Sequence, residues 1–447
     1  MDFLIKFAQA HETFRMPELE ALAVIEKIPL KIIQYDEAAS CMSPTCTLQL
    51  PSADAARRLI RRSIMAQSIH ELWGSGKNMD QLNESVRETS SSEWPRYKKS
   101  SFKFVFDSYQ GSRSKSSQLS VINNFQYLPF EGPIIMKNPD EMFTILELWP
   151  WNSVPMGVQH PDYYHLGRFI ANSARDIVLK FDLKKRQYIS TTSMDSELAL
   201  ITANIALAAP GKIFYDPFVG TGSFPIACAH FGAVSWGSDI DGRSIRGEGN
   251  EKSLKGNFGQ YNIQSFLGDV FAADVTNSPI CRRRVWDGIV CDPPYGVREG
   301  LRVLGIKDPE KTPWLVERGL KHGREFDYVP PKKPYSFLAI LDDILVLAVE
   351  TLVDNGRLSF WMPTANEEDQ QIPAPAHPCL EIVASCVQVF NKWSRRLITY
   401  RRIPDPEVSK AALELYAGRE IISEVGTTAN ELNPFRRGYF RKFQSDS

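Results

Sequence analysis

Ile213-Phe214-Tyr215-Asp216-Pro217-Phe218-Val219-Gly220-Thr221-Gly222 decides how this chain is read. A short apolar run ends in an acid, passes through Gly-x-Gly, and leads to a helix expected from Phe224. Glycines let a backbone approach a ligand closely, and a helix N-terminus offers unpaired amides. On its own the pair of glycines fits a plain tight turn equally well. Two familiar nucleotide loops do not fit. The dinucleotide fingerprint needs a third glycine where Pro225 stands, and the phosphate loop needs a Gly-Lys-Ser/Thr that is absent.

Outward from this turn the chain alternates strands and helices. Upstream, a helix is expected from about Asp195 to Ala209, ahead of Pro210-Gly211. Downstream come the strand AVSWGSDI, a helix near 243–255, the strand IQSFLGDV and the strand WDGIVCDPP. That pattern predicts an α/β unit built on a mainly parallel sheet. An acid closes each predicted strand in turn: Asp216, Asp239, Asp269 and Asp292. Ligands of open α/β sheets bind outside the carboxyl ends of the strands, so four such acids are expected around one crevice. Asp239 can accept both hydroxyls of a ribose, with Ile240 beside it. Asp269 can accept from the amine of an adenine, with Val270 against the ring.

These residues resemble the class I S-adenosylmethionine-dependent methyltransferases, which have a Rossmann-like fold. Asp216, Pro217, Phe218, Gly220 and Gly222 match that family's glycine-rich motif, and Asp239 and Asp269 its next two acidic positions. The resemblance spans about 190–405 and implies S-adenosylmethionine as cofactor. Asp292-Pro293-Pro294-Tyr295 resembles the signature of methyltransferases acting on exocyclic or amide nitrogens. Such an amine is a poor nucleophile because its lone pair is delocalised. The Asp292 carboxylate and the Pro293 carbonyl can accept its N–H groups and bind it more tightly as positive charge develops. The prolines restrict the loop, and Tyr295 offers a ring for a flipped base. The residues leave open whether Asp292 also takes the proton. No metal is required, and no ligand cluster for one is expected.

The N-terminal half opens with the half-buried strand Phe3, Ile5, Phe7 and a helix from Pro17, followed by short strands around Ser43-Pro44. Apolar periodicity predicts one helix from about Ser52 to Leu72, ended by Gly74, with Arg57, Arg58, Arg61 and Arg62 on its other face. The strand Phe102, Phe104, Phe106 is expected between mobile loops, and a helix is expected over Leu166–Phe181. Lys98, Lys99, Arg113 and Lys115 stand among Trp94, Tyr97 and Tyr109, a mixture suited to phosphates and exposed bases. The basic stretch 296–333, with Arg298, Arg302, Lys307, Lys311, Arg318, Lys321 and Arg324, follows the tetrapeptide and is expected to close over a target nucleotide.

The helix RRLIRRSIMAQSIHELWGSG, the strand FKFVFDSY and the segments running into STTSMDSELA resemble a ferredoxin-like domain followed by a THUMP domain. With DPFVGTGSF and DPPYGVREG they resemble the eukaryotic tRNA guanine-10 N2-methyltransferase catalytic subunits. The expected organisation is 1–60 ferredoxin-like, 61–182 THUMP, 183–192 linker, 193–405 Rossmann-like methyltransferase and 406–447 C-terminal extension. The resemblance implies tRNA as substrate and a small zinc-containing activator as partner. N6-adenine methylation, a protein-glutamine methyltransferase and a non-catalytic RNA scaffold remain as alternatives. Arg357–Met362 and Val387–Phe390 read either as a sheet edge open to strand addition or as core strands.

Composition narrows the class without naming the partner. Of 447 residues, 43% are hydrophobic and 23% charged, which excludes a largely disordered or fibrous chain. Lysine and arginine (52) nearly balance aspartate and glutamate (53), so a polyanion partner would require local segregation of charge. Seven cysteines make no disulfide framework, and Cys41 and Cys46 have no second pair to complete a zinc site. The most apolar long stretch, Phe337–Val353, carries Asp342, Asp343 and Glu350, and the N-terminus lacks a secretory pattern. A soluble, cytoplasmic protein is expected.

Overall fold

The computed structural model describes residues 1–36, 43–296, 301–306, 308–323, 328–364, 372–390, 393–419, 428 and 431–436. Arg298, Lys307, Arg324 and Cys41 lie outside the described residues. The chain divides into two compact units, Met1–Asp176 and Ile177–Ser447.

The first unit is built from β1 (Asp2–Phe7), α1 (Arg15–Glu26), β2 (Lys31–Gln34), β3 (Thr45–Gln49), α2 (Ala53–Ile60) and β4 (Ala66–Gly76). It continues with α3 (Met79–Ser90), α4 (Trp94–Tyr97), β5 (Phe102–Tyr109), α5 (Lys115–Asn123), β6 (Glu141–Leu148) and β7 (Tyr163–Asn172). One seven-stranded sheet in the order β2-β3-β1-β4-β7-β6-β5 runs through it, antiparallel except where β5 pairs with β6. The expected boundary at 60/61 thus falls inside a shared sheet, in the turn between α2 and β4. Strand β1 lies between β3 and β4, and Phe3, Leu4, Ile5 and Phe7 are all buried, more than a half-buried strand would show.

Three expectations for this unit are corrected. The helix expected from about Ser52 to Leu72 stops at Ile60, and Ala66–Gly76 is a strand. Its cause is Glu18, fully buried on α1, whose carboxylate accepts from Ile64 N and Met65 N at 2.9 Å and from Ser63 Oγ at 2.7 Å. Amides taken by a carboxylate cannot continue a helix. The loops expected beside β5 contain α3, α4 and α5 instead, with Asn78 and Ser114 as side-chain N-caps of α3 and α5. Leu166–Asn172 belongs to β7 rather than a helix, because it pairs with both β4 and β6. Arg168 is buried there between Glu71 at 2.7 Å and Glu141 at 3.0 Å.

The second unit contains α6 (Ile177–Phe181), α7 (Ser196–Ile205), β8 (Ile213–Asp216), α8 (Ser223–His230), β9 (Val234–Asp239), α9 (Gly242–Arg246), α10 (Leu254–Gln260) and β10 (Leu267–Ala272). Then follow β11 (Trp286–Cys291), β12 (Arg302–Leu304), α11 (Thr312–His322), β13 (Lys332–Pro334), α12 (Phe337–Thr351), β14 (Leu352–Thr364), β15 (Leu380–Val389), β16 (Ser394–Arg402) and α13 (Lys410–Ala417). Its sheet has the order β10-β9-β8-β11-β14-β16-β15. The first five strands are parallel, and β16 runs antiparallel between β14 and β15. The expected parallel α/β sheet is present, with the order reversing at β8 and β11. The helix expected near 243–255 is two short helices, α9 and α10. The basic run Asp182–Arg186 lies inside this unit, and buried Arg186 donates to Ser223 Oγ at 3.0 Å. Strand β14 is interior, so Arg357–Met362 offers no edge, whereas β15 is an edge strand. Arg302–Leu304 and Lys332–Pro334 form the two-stranded β12-β13 ladder, and α11 covers Thr312–His322.

Candidate active site

The strands deliver three of the four expected acids to one end of the sheet. Tyr215 pairs with Ile289 and Asp216 with Gly237, which sets the ends of β8, β9 and β11 side by side. Asp216 is almost fully buried, and its Oδ1 accepts the Phe218 amide at 2.9 Å. Burial raises its pKa well above the carboxylate range, and the nearby Asp239 and Asp292 add to the rise. It thereby fixes the start of the glycine turn, where Pro217 is buried and Phe218 half-buried.

Asp239 fixes the other end of that turn. Its Oδ2 accepts Gly220 N at 3.0 Å and its Oδ1 accepts Asp241 N at 2.8 Å. Gly220 and Gly222 have φ of +47° and +88°, which side chains rarely adopt. A Cβ on Gly222 would also come within 3.1 Å of Leu254. Asn257 Nδ2 holds the Thr221 carbonyl at 3.1 Å, and α8 begins at once behind the turn. Burial raises the pKa of Asp239, while the backbone amides and Lys332 oppose the rise. Ile240 follows, half-buried.

Asp269 stands inside its strand rather than at its end. It is the third residue of β10, its side chain is 54% exposed, and it faces Lys255 at 3.5 Å. Val270 is buried within the strand opposite Gly237. The strand runs on until Ala272 pairs with Asp239, so the acid beyond its carboxyl end is Asp274. Asp274 is 3% exposed; its Oδ1 accepts from Thr276, and its Oδ2 accepts Leu304 N at 2.6 Å. The sequence holds both acids in LGDVFAAD, and only strand pairing tells which one ends the strand.

Asp292 follows β11 directly. Its side chain is 21% exposed, and Arg395 of β16 approaches its Oδ2 at 4.0 Å. Asp292 Oδ1 and the Tyr295 hydroxyl are buried without a hydrogen-bond partner among the described residues. Burial pushes the Asp292 pKa to about 6, held back by Arg395 and the neighbouring Tyr295 hydroxyl. Arg395 is held over the Trp361 ring at 4.8 Å and donates to Gln388 Oε1 at 2.6 Å. Pro293 is buried, Pro294 exposed, and the Tyr295 ring meets Trp393 edge-on at 6.2 Å. A buried carboxylate oxygen without a partner can accept an N–H group. Sequence reading missed Arg395 because it lies about a hundred residues downstream in an otherwise ordinary strand.

The expected RNA-contacting cations are placed unevenly in the first unit. Arg58 is ion-paired with Glu26 and Asp54, Arg61 with Glu26, and Lys98 with Glu131. Arg113 is buried against Glu147 at 2.5 Å, donates to the Tyr164 hydroxyl and lies over Trp149. Arg57, Lys99 and Lys115 are exposed, and Arg62 is half-buried. No cluster of metal-binding side chains occurs among the described residues, and none of their helices is long and apolar enough to cross a membrane.

Residues 1–175 match the family described as the Tmrp11 THUMP N-terminal domain, and residues 184–303 match the RMKL-like methyltransferase domain. The tRNA (guanine(10)-N(2))-methyltransferase of Saccharomyces cerevisiae is 43% identical over 404 residues, 89% of this chain and 92% of the relative. That of Schizosaccharomyces pombe is 36% identical over 470 residues, covering 98% and 96%. The Homo sapiens protein of the same name is 33% identical over 418 residues, covering 90% and 88%. With a Rossmann-like unit, a THUMP-containing unit and relatives matched along nearly their whole length, the chain belongs to the tRNA (guanine(10)-N(2))-methyltransferase family.

Proposed function

We infer that this chain transfers a methyl group from S-adenosylmethionine to the exocyclic N2 of guanosine 10 in tRNA. One observation carries the reading: a buried carboxylate oxygen without a partner, Asp292 Oδ1, stands at the carboxyl end of the sheet beside the glycine turn. The residues of that turn fit the cofactor. Gly220 and Gly222 keep the backbone bare where it must pass close to a ligand. Asp239, held by two backbone amides, has lone pairs left for ribose hydroxyls. The cofactor supplies a methyl group on a positively charged sulfur.

The chain's own part is to hold the amine. Asp292 and the Pro293 carbonyl accept its N–H groups, which turns the nitrogen lone pair away from the loop. As the nitrogen gains positive charge, both acceptors bind it more strongly, so the barrier falls. Arg395 keeps Asp292 ionised despite its burial, because a carboxylate with a positive neighbour loses its proton more readily. Exposed Arg57, Lys99 and Lys115 are assigned to tRNA phosphates. A small zinc-containing activator is the proposed partner subunit, and the edge strand β15 is the part of the nominated tracts open to strand addition. The proposed compartment is the cytoplasm.

The test is methyl transfer from labelled cofactor to unmodified tRNA, with and without the activator, followed by nucleoside analysis. N2-methylguanosine at position 10 is the expected product. Labelled N6-methyladenosine would overturn the assignment of the target base, and label retained in an Asp292→Ala variant would overturn the amine-holding role.

A further inference from the structure

The C-terminal segment 431–436 reaches the reactive loop from more than a hundred residues away. Asn433 Nδ2 donates to the Tyr295 carbonyl at 2.7 Å, and Arg436 donates to the Gly296 carbonyl at 2.8 Å. Both acceptors lie immediately after the two prolines of the loop. Asn433 is 3% exposed, and its Oδ1 accepts Arg436 N at 3.0 Å, so its amide cannot turn over without losing both bonds. The segment is fastened on its other side as well. Phe337 N, at the start of α12, donates to the Leu432 carbonyl at 2.9 Å. Phe435 is buried in the main core of the unit and meets Trp393 at 6.0 Å, the same indole that meets the Tyr295 ring.

We propose that residues 431–436 form a clasp that positions the Asp292–Gly296 loop for methyl transfer, with Asn433 and Arg436 as its positioning residues. The inference rests on the amine-holding role given to Asp292 and the Pro293 carbonyl. Those acceptors act only if the loop holds one shape, and prolines fix φ without anchoring the loop to anything. Carbonyls 295 and 296 are the anchor points. Gly296, at φ +67°, adds no side-chain restraint at the end of the loop, so an unclasped loop would have freedom there. Asn433 touches neither expected substrate nor cofactor; it acts through the backbone of Tyr295.

The prediction separates positioning from stability. In the full chain, with its activator where turnover requires one, Asn433→Ala and the near-isosteric Asn433→Asp lower kcat on tRNA by about 10- to 100-fold, since small misplacements of a reacting group cost that much. Cofactor Kd and KM for tRNA stay within about twofold. Arg436→Lys, which keeps a donor, recovers most of the rate lost in Arg436→Ala. The proposal is overturned if both Asn433 variants keep kcat within about twofold. It is equally overturned if cofactor binding and melting temperature fall together while the rate per folded molecule is unchanged, because that marks a purely structural segment. A wild-type chain that makes no N2-methylguanosine would instead strike the reading of the substrate, leaving the variant comparison to be made on whatever nucleoside is labelled.

Discussion

Asp292 pays for its position in stability. Raising a carboxyl from 3.8 to about 6 corresponds to roughly 3 kcal/mol, at about 1.4 kcal/mol per pH unit. The sign follows from linkage: the fold favours the protonated form, so this contribution is present below pH 4 and lost as pH rises through 6. Asp292→Asn is therefore expected to melt higher than wild type near pH 7.5, with the gap closing toward pH 3. Its kcat is expected to fall at least about 100-fold at unchanged cofactor Kd, the scale of loss for a buried transition-state contact. In the wild type, kcat should rise with pH through about 6 and then level. Arg395→Gln moves that limb to higher pH, because the cation opposing the rise is gone; an unmoved limb would remove Arg395 from the account. Arg113 gives the opposite lesson at the same scale. Buried against Glu147, it is expected to act on folding: Arg113→Ala destabilises by about 3 to 5 kcal/mol in denaturant melts. Lys99→Ala and Lys115→Ala should leave those melts unchanged and weaken tRNA binding in a salt-dependent way.

Elements show where sequence reading succeeds and where it stops. The glycine turn and Asp292-Pro293-Pro294-Tyr295 are legible because their chemistry is local: backbone freedom, a fixed φ and an acid at a strand end. The break between α2 and β4 is not legible, since Leu59, Ile60 and Ile64 continue a helical period. What ends the helix is Glu18, 45 residues away from Ser63. Where β10 ends is not legible for a similar reason, as its end is set by its pairing with β9. The clasp is further still from view, with 138 residues between Asn433 and Tyr295. Glu18→Ala tests the first case. It leaves the Ile64 and Met65 amides buried without an acceptor, at about 1 to 3 kcal/mol each. The melting temperature of the N-terminal unit should fall by at least about 5 °C, with a smaller drop for Glu18→Gln, which keeps one acceptor oxygen.

At the scale of the whole molecule, the near-zero net charge reports pairing as much as segregation. Arg58, Arg61, Lys98 and Arg113, read in the sequence as an RNA-facing set, each have an acidic partner in the first unit. The same contacts bear on how that unit is divided. A ferredoxin-like segment ending at residue 60 would leave β1 without β4, although β1 pairs with it from Phe3 to Phe7. It would also separate Glu18 from the amides of Ile64 and Met65. A strand that loses one neighbour exposes a row of unpaired backbone groups, and a chain of about 60 residues has little core with which to offset that cost. Residues 1–176 contain the whole sheet and the pairing of Arg168 with Glu71 and Glu141. Expressed alone, 1–176 is expected to unfold in one cooperative transition by circular dichroism, whereas 1–60 should show none. A cooperative melt of 1–60 would mean that β1, β2 and β3 with α1 and α2 suffice, and that β4 joins an already finished domain.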